Sequence, residues 1–313
     1  MDLYSAAPQP LCQRTQEAFL ASLRRRFPFV RQRLVCRSAY GRPMYALCVG
    51  RGSRTAVFTA AHHANEAITG LLLWRFLEEY CAALRDGGPL LSLSARELYR
   101  ENTLWLLPCC NPDGAELLSG ELPECAPEYR AARALALQRP ELPFPQGWKA
   151  DLTGVDLNLN FPARWALACS IKAQSGVLGP GPRDYPGERP LCRPETRGLC
   201  ELLEALRPAL LICLHTQGRV VYTAGSAPSI PGMQALGRQL AAACGYTLEC
   251  PPPESDNAGL KDWFLQRFGR PAFTVEVGEG ENPLPLSEAQ ALYLELLPLL
   301  VSALSGSEHV HPL

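Results

Sequence analysis

The chain has 313 residues, 47% hydrophobic and 19% charged, with 30 Lys and Arg against 31 Asp and Glu. The formal net charge of −1 gives no global field that would favour nucleic acid or an anionic membrane, and the apolar mass suffices for a large core. No apolar run reaches the roughly 18 residues of a membrane span. The start Met1-Asp-Leu-Tyr-Ser-Ala-Ala-Pro8 lacks the basic and apolar segments of a secretion signal. The 13 Cys include no CxxC pair. A reduced, cytoplasmic protein is expected rather than a disulfide framework.

In chain order, residues 12–26 read as an amphipathic helix whose Arg24-Arg-Arg26 end is a solvated basic C-terminus. Residues 33–38, 43–49 and 54–60 read as strands, with Gly41-Arg-Pro43 turning between the first two. Ile68 to Ala83 has helical periodicity and stops at Asp86-Gly-Gly-Pro89. Thr103–Leu107 is a strand. Residues 120–150, rich in Pro, Glu and Arg, read as a surface excursion with one helix near 127–138. Helices are expected at 164–172, 195–206, 230–243, 259–267 and 287–304, and strands at 210–214, 220–224 and 271–277. Strand–helix alternation from residue 54 onward predicts an α/β fold with a mixed, mostly parallel sheet flanked by helices. No linker interrupts it, so one domain is expected over 1–313, with 1–32 as a helical lead-in and 305–313 as a tail.

The residues with chemistry fall at strand ends, where open α/β sheets place their sites. His63-Ala-Asn-Glu66 follows the run Thr55–Thr59, and His215 follows Leu210–Leu214. The chain has five His, and His309 and His311 lie in the tail. Two His and one Glu at strand mouths match the three-ligand, open-position pattern of a catalytic zinc site. Phe273-Thr-Val-Glu276 sets a carboxylate at the end of an apolar strand, where a Glu needs a partner or a task. Asn111-Pro-Asp-Gly114 is good turn chemistry. Gly154-Val-Asp-Leu-Asn-Leu-Asn160, if extended, puts Asp156, Asn158 and Asn160 on one face as a pocket wall. His62 reads as packing beside a ligand.

These pieces together resemble the carboxypeptidase A-like zinc peptidases. In order they are HANE at 63–66, NPDG at 111–114, Trp148-Lys149, GVDLN at 154–158, Tyr185-Pro-Gly187 with Arg193-Pro-Glu-Thr196, His215-Thr-Gln217 and FTVE at 273–276. Within that family the chain looks most like the γ-D-glutamyl-meso-diaminopimelate peptidases. That narrower match rests on GVDLNLNFPARW at 154–165, Pro182-Arg-Asp-Tyr185, Leu260-Lys-Asp-Trp263 and FTVEVGEGENPLP at 273–285. The resemblance implies a mixed eight-stranded sheet and one zinc per chain, held by His63, Glu66 and His215. It implies Glu276 as general base and Asp156 as the residue that orients His63. It also makes Thr216-Gln217 a candidate for a non-proline cis peptide.

The chain departs from digestive carboxypeptidases at two positions. Lys149 stands where they carry Arg and would serve the oxyanion as a point charge rather than a fork. Asn158-Leu159 replaces their Asn-Arg clamp for a terminal carboxylate. Asn158, Lys261 and Arg183 become the expected substrate-binding residues, the two cations for the extra carboxylates of a cell-wall stem peptide. The expected function is cleavage of the γ-D-Glu–meso-diaminopimelate amide in a small, soluble peptidoglycan fragment recycled inside the cell or in a forming spore. The expected partner is that small peptide, with no nucleic acid and no membrane. The alternatives are a zinc deacylase of small N-acyl amino acids and a non-catalytic muropeptide-binding protein. The cell-wall-type motifs count against the first, and the ligand set together with Glu276 against the second.

Overall fold

The computed structural model describes residues 9–225 and 230–305, which leaves His309 and His311 outside the described residues. In chain order the elements are α1 (Gln13–Arg26), β1 (Arg31–Arg37), β2 (Pro43–Gly50), β3 (Arg54–Thr59), α2 (Ile68–Asp86), the short hairpin β4 (Pro89–Leu90) and β5 (Leu93–Ser94), α3 (Ala95–Glu101), β6 (Asn102–Leu107), α4 (Pro112–Leu118) and α5 (Pro127–Ala136). Then follow α6 (Trp165–Gln174), α7 (Pro194–Leu206), β7 (Leu210–His215), β8 (Val220–Tyr222), α8 (Met233–Cys244), β9 (Thr247–Glu249), α9 (Leu260–Phe268), β10 (Ala272–Glu276) and α10 (Ala289–Leu304).

Eight strands form one sheet in the order β1-β2-β6-β3-β7-β10-β8-β9. Four pairings are parallel and three antiparallel, which is the mixed sheet expected. Its centre is β7, an apolar run closed by His215 and buried at every residue, as a strand covered on both faces must be. Helix α10 packs against α2 and α8, α9 lies against β7 and β10, and α7 lies against β1. Phe58 and Phe273 are fully buried in this core, and truncating either side chain to Ala would cost about 3–5 kcal/mol. No helix among the described residues is long and apolar enough to cross a membrane.

Local chemistry sets the boundaries. Gly87 takes φ +72° and closes α2 as a left-handed cap. The three arginines do end α1, but Arg26 is ion-paired with Glu78 rather than fully solvated. All 13 Cys are free thiols.

Three segments differ from expectation. Asn111-Pro-Asp-Gly114 is not a free turn. Asn111 is the N-cap of α4, its Oδ1 accepting the Gly114 amide at 2.9 Å, and Asp113 is buried against Ser38 and Arg42. The 154–160 segment is not extended. A 3-10 turn at Leu157–Leu159 breaks the alternation and sends Asp156, Asn158 and Asn160 to different partners. The 120–150 excursion is not merely surface: Leu122, Ala132, Ala136, Trp148 and Ala150 form a second small core with Leu117 and Ala64.

Candidate metal centre and active site

The ligand loop begins where β3 ends. His63 precedes a single 3-10 turn, Ala64–Glu66, which brings residues 63 and 66 to the same side. Several contacts pin this turn. The Ala64 amide donates to the Lys149 carbonyl at 3.0 Å. Asn111 Nδ2 donates to the carbonyls of His62 and Ala150 at 3.3 and 3.1 Å. A Cβ on Gly114 would come within 2.6 Å of the Ala64 Cβ, so only glycine permits α4 to approach the loop this closely.

His215 arrives from the last residue of β7. His63, Glu66 and His215 each offer an atom within 4.8 Å of the others, and all three are buried. His63 Nδ1 lies 2.8 Å from Glu66 Oε1. His215 Nδ1 lies 2.9 Å from Glu66 Oε2 and 3.2 Å from His63 Nδ1. Asp156 Oδ1 stands 3.2 Å from His63 Nε2. A proton held there leaves the Nδ1 lone pair turned inward. Two imidazole nitrogens and a carboxylate that converge on one point suit a divalent zinc ion.

The surrounding charges are mutually supporting. Burial works to raise Asp156, but Lys149 and His63 outweigh it and hold this carboxyl well below the usual range. Burial likewise works to lower Lys149, but Asp156, Asp184 and Glu66 keep it raised. The Lys149 Nζ to Asp156 Oδ2 distance is 3.4 Å. Glu276 ends β10 as the register partner of His215 and lines the same cavity. Withdrawal from water and the Glu66 charge push its carboxyl up to about 8, a push that a cation on the three ligands would oppose.

His62 turns away from the ligand cluster. Its Nε2 lies 2.8 Å from Thr59 Oγ1, and its ring stacks on His215 at 5.3 Å. Burial, then His215 and His63, hold it well below its ordinary pKa, so it packs as a neutral ring.

The cavity over this centre has a volume of about 650 Å³, a size suited to a small peptide. Asn158, Leu159, Arg183 and Lys261 all line it. Asn158 is partly committed, since its Oδ1 accepts the Leu260 amide at 3.1 Å. Arg183 Nε lies 3.2 Å from Asp184 Oδ2. Lys261 is not the free cation expected: it is buried against Asp262 at 2.5 Å and Asp256 at 3.9 Å. The Thr216-Gln217 peptide is cis, and Thr216 and Asn282 bond each other reciprocally at 2.7 and 3.0 Å. Sequence reasoning missed Asn65, Lys172 and Asp184, which also belong to the site. The signals were present for two of them: Asn65 lies between two ligands, and Asp184 lies inside the Pro182–Tyr185 motif.

A buried His-Glu-His cluster under a polar cavity, at the carboxyl ends of strands in an eight-stranded mixed sheet, defines a carboxypeptidase A-like metallopeptidase. The zinc carboxypeptidase family profile matches residues 16–295, and the chain belongs to that family. It is 37% identical over 287 residues to gamma-D-glutamyl-L-diamino acid endopeptidase 1 of Lysinibacillus sphaericus, covering 91% of this chain and 70% of that protein. It is 29% identical over 135 residues to murein peptide amidase A of Escherichia coli K12, covering 41% of this chain and 54% of that one. Among solved structures, bovine thrombin-activatable fibrinolysis inhibitor superposes with a TM-score of 0.71 at 17% identity, covering 95% and 96% of the two chains. The last likeness speaks to the fold alone.

Proposed function

We propose that this zinc peptidase hydrolyses the γ-D-glutamyl amide of a peptidoglycan stem peptide, at the bond to a diamino acid such as meso-diaminopimelate. The observation that carries this reading is a candidate metal centre under a cavity walled by paired charges, with the apolar Leu159 in its lining at the position the sequence resemblance pairs with an exopeptidase Arg. The similarity to a γ-D-glutamyl-L-diamino acid endopeptidase supports the same substrate class.

In this reading His63, Glu66 and His215 hold zinc, which when bound supplies Lewis acidity toward water and toward the scissile carbonyl. Glu276 takes the proton of the attacking water and passes it to the leaving amine. The Lys149 ammonium faces the charge that develops on the carbonyl oxygen. Asp156 fixes the His63 ring and holds Lys149 from the other side. Asn158, Arg183 and Lys261 contact the substrate, Asn158 with its amide N–H donors. Cleavage inside the cell, on a released fragment, is part of the proposal.

The test is incubation of the zinc-loaded protein with L-Ala-γ-D-Glu-meso-diaminopimelate, followed by mass spectrometry. Release of free diaminopimelate is expected, with one zinc per chain lost in His215→Ala. Cleavage at the L-Ala–D-Glu bond, or of ordinary C-terminal residues instead, would overturn the reading.

A further inference from the structure

An ammonium on a four-carbon stem is a point charge with no fixed direction, unlike a planar guanidinium. Lys149 must therefore be held from outside. Asp156 supplies one hold, at 3.4 Å from Nζ, but the same carboxylate also serves His63 at 3.2 Å. A second carboxylate in the cavity lining, Asp184, has no part in the proposed reaction.

The segment that carries Asp184 is tied to both members of the Lys149–Asp156 pair. The Pro182 carbonyl accepts the Lys149 and Ala150 amides at 2.8 and 3.0 Å, and the Tyr185 carbonyl accepts the Asp156 amide at 2.8 Å. Asp184 falls between these two anchors in sequence. It takes φ +70°, a left-handed backbone uncommon for a residue with a Cβ, and the anchors on either side hold it there. Lys172 Nζ reaches Asp184 Oδ1 at 3.0 Å from α6, and Arg183 Nε reaches Oδ2 at 3.2 Å. Burial works to raise the Asp184 carboxyl, but Lys149 and Lys172 outweigh it and keep it below its ordinary range, with Lys149 the stronger influence. In return Asp184 ranks next to Asp156 among the charges that keep Lys149 raised against its burial.

We infer that Asp184 is a positioning residue for Lys149, the second carboxylate of a cradle whose first is Asp156, and that Lys172 steadies it from α6. The inference rests on the proposed peptidase activity, in which the Lys149 ammonium meets the oxygen of the scissile carbonyl. Two carboxylates confine the ammonium before substrate arrives, so the charge needs no rearrangement when that oxygen turns negative. Lys172 offsets the charge of Asp184, so the second carboxylate does not oppose the oxyanion uncompensated. An effect exerted through Lys149 belongs to the transition state, and its loss lowers kcat rather than raising KM.

The experiment measures kcat and KM, per bound zinc, for the zinc-loaded full chain acting on L-Ala-γ-D-Glu-meso-diaminopimelate. Lys149→Met should cost about 10²–10³-fold in kcat, the scale of a lost oxyanion donor. Asp184→Asn should cost at least about tenfold in kcat, with KM within about threefold of the wild type and zinc content unchanged. Added to Lys149→Met, it should cost less than about twofold more, since nothing is left to position. Lys172→Met should cost about threefold or more in kcat alone and lose that effect in the Lys149→Met background, which tests the same cradle without altering Asp184. Rates taken per bound zinc discount any fraction that fails to fold. An unchanged kcat in Asp184→Asn, a rise in KM at constant kcat, or equal losses with and without Lys149 would overturn the inference while the peptidase activity stands. A wild type that leaves the peptide intact overturns the peptidase reading, and the inference with it.

Discussion

Glu276 and His215 are register partners across the parallel β7–β10 pair. Partners in register project from the same face of a sheet, so a candidate metal ligand and the proposed general base share one wall by virtue of strand pairing. The Val277 amide, donating to the His215 carbonyl at 2.8 Å, holds that register one step further. A slip of one residue would turn Glu276 into the opposite layer.

Glu276→Gln should therefore leave the metal in place and remove the proton carrier. Zinc content should remain near that of the wild type, while hydrolysis should fall by about 10²–10⁴-fold. Parallel metal analysis and turnover assays decide it, and a variant with near-normal turnover would strip Glu276 of its role.

Asp156 supports both sides of the chemistry, at 3.2 Å from His63 Nε2 and 3.4 Å from Lys149 Nζ. Asp156→Asn keeps the shape and removes the charge. We expect zinc affinity to weaken about 10–100-fold, measured by competition with a chromogenic chelator, with a further loss in kcat. Unchanged affinity would mean that His63 is oriented by packing alone.

Gly114→Ala tests the clamp behind the ligand loop. An ordinary helical Gly→Ala change gains about 1 kcal/mol. Here the new Cβ would meet the Ala64 Cβ and the Asn111 amide group, both at 2.6 Å, and the overpacking should cost about 1–3 kcal/mol instead. Thermal unfolding should show a lower midpoint, and the metal should be held less tightly. A raised midpoint would show that α4 has room to retreat.

Stability should also fall as pH rises, for a reason remote from the metal. Glu195 is fully buried in the first turn of α7, with neither carboxylate oxygen partnered among the described residues. Burial, then the nearby Asp151, push it up to about 8, and burial pushes Asp151 up to about 6. The folded chain thus keeps protons that the unfolded chain, titrating near 4, gives up earlier. This contribution is complete below about pH 4 and is lost as pH climbs through 6 and 8, to an extent on the order of several kcal/mol. Urea unfolding at pH 5 and pH 8.5 should show the decline, and Glu195→Gln should flatten it. An identical slope in the variant would place the linkage elsewhere.

The four residues at the centre of the site were legible because each sits at an abrupt change from apolar strand to polar side chain. Most strands and helices likewise fell within a few residues of their expected limits. The short pieces were not legible. The hairpin of β4 and β5, helix α3 and the edge strand β9 carry too little periodicity to stand out. The face of 154–160 was misread because a single 3-10 turn overrides alternation, which is a local hydrogen-bonding event rather than a pattern of residue types. The pairing of Lys261 was hidden for a related reason. Asp262 is its neighbour in the chain, and on a helix neighbours ordinarily diverge. Lys172 gave no signal at all, because its place at the cavity depends on how α6 docks against a segment twelve residues away.

The hydrogen bond from the Ala64 amide to the Lys149 carbonyl has a kinetic consequence. The ammonium on one side and the imidazoles on the other belong to a single rigid body, braced by the small cluster around Trp148. That cation need not be carried in by a swinging flap when substrate arrives. Thickening the solvent with sucrose should then leave the bond-breaking step of a single turnover at its original speed.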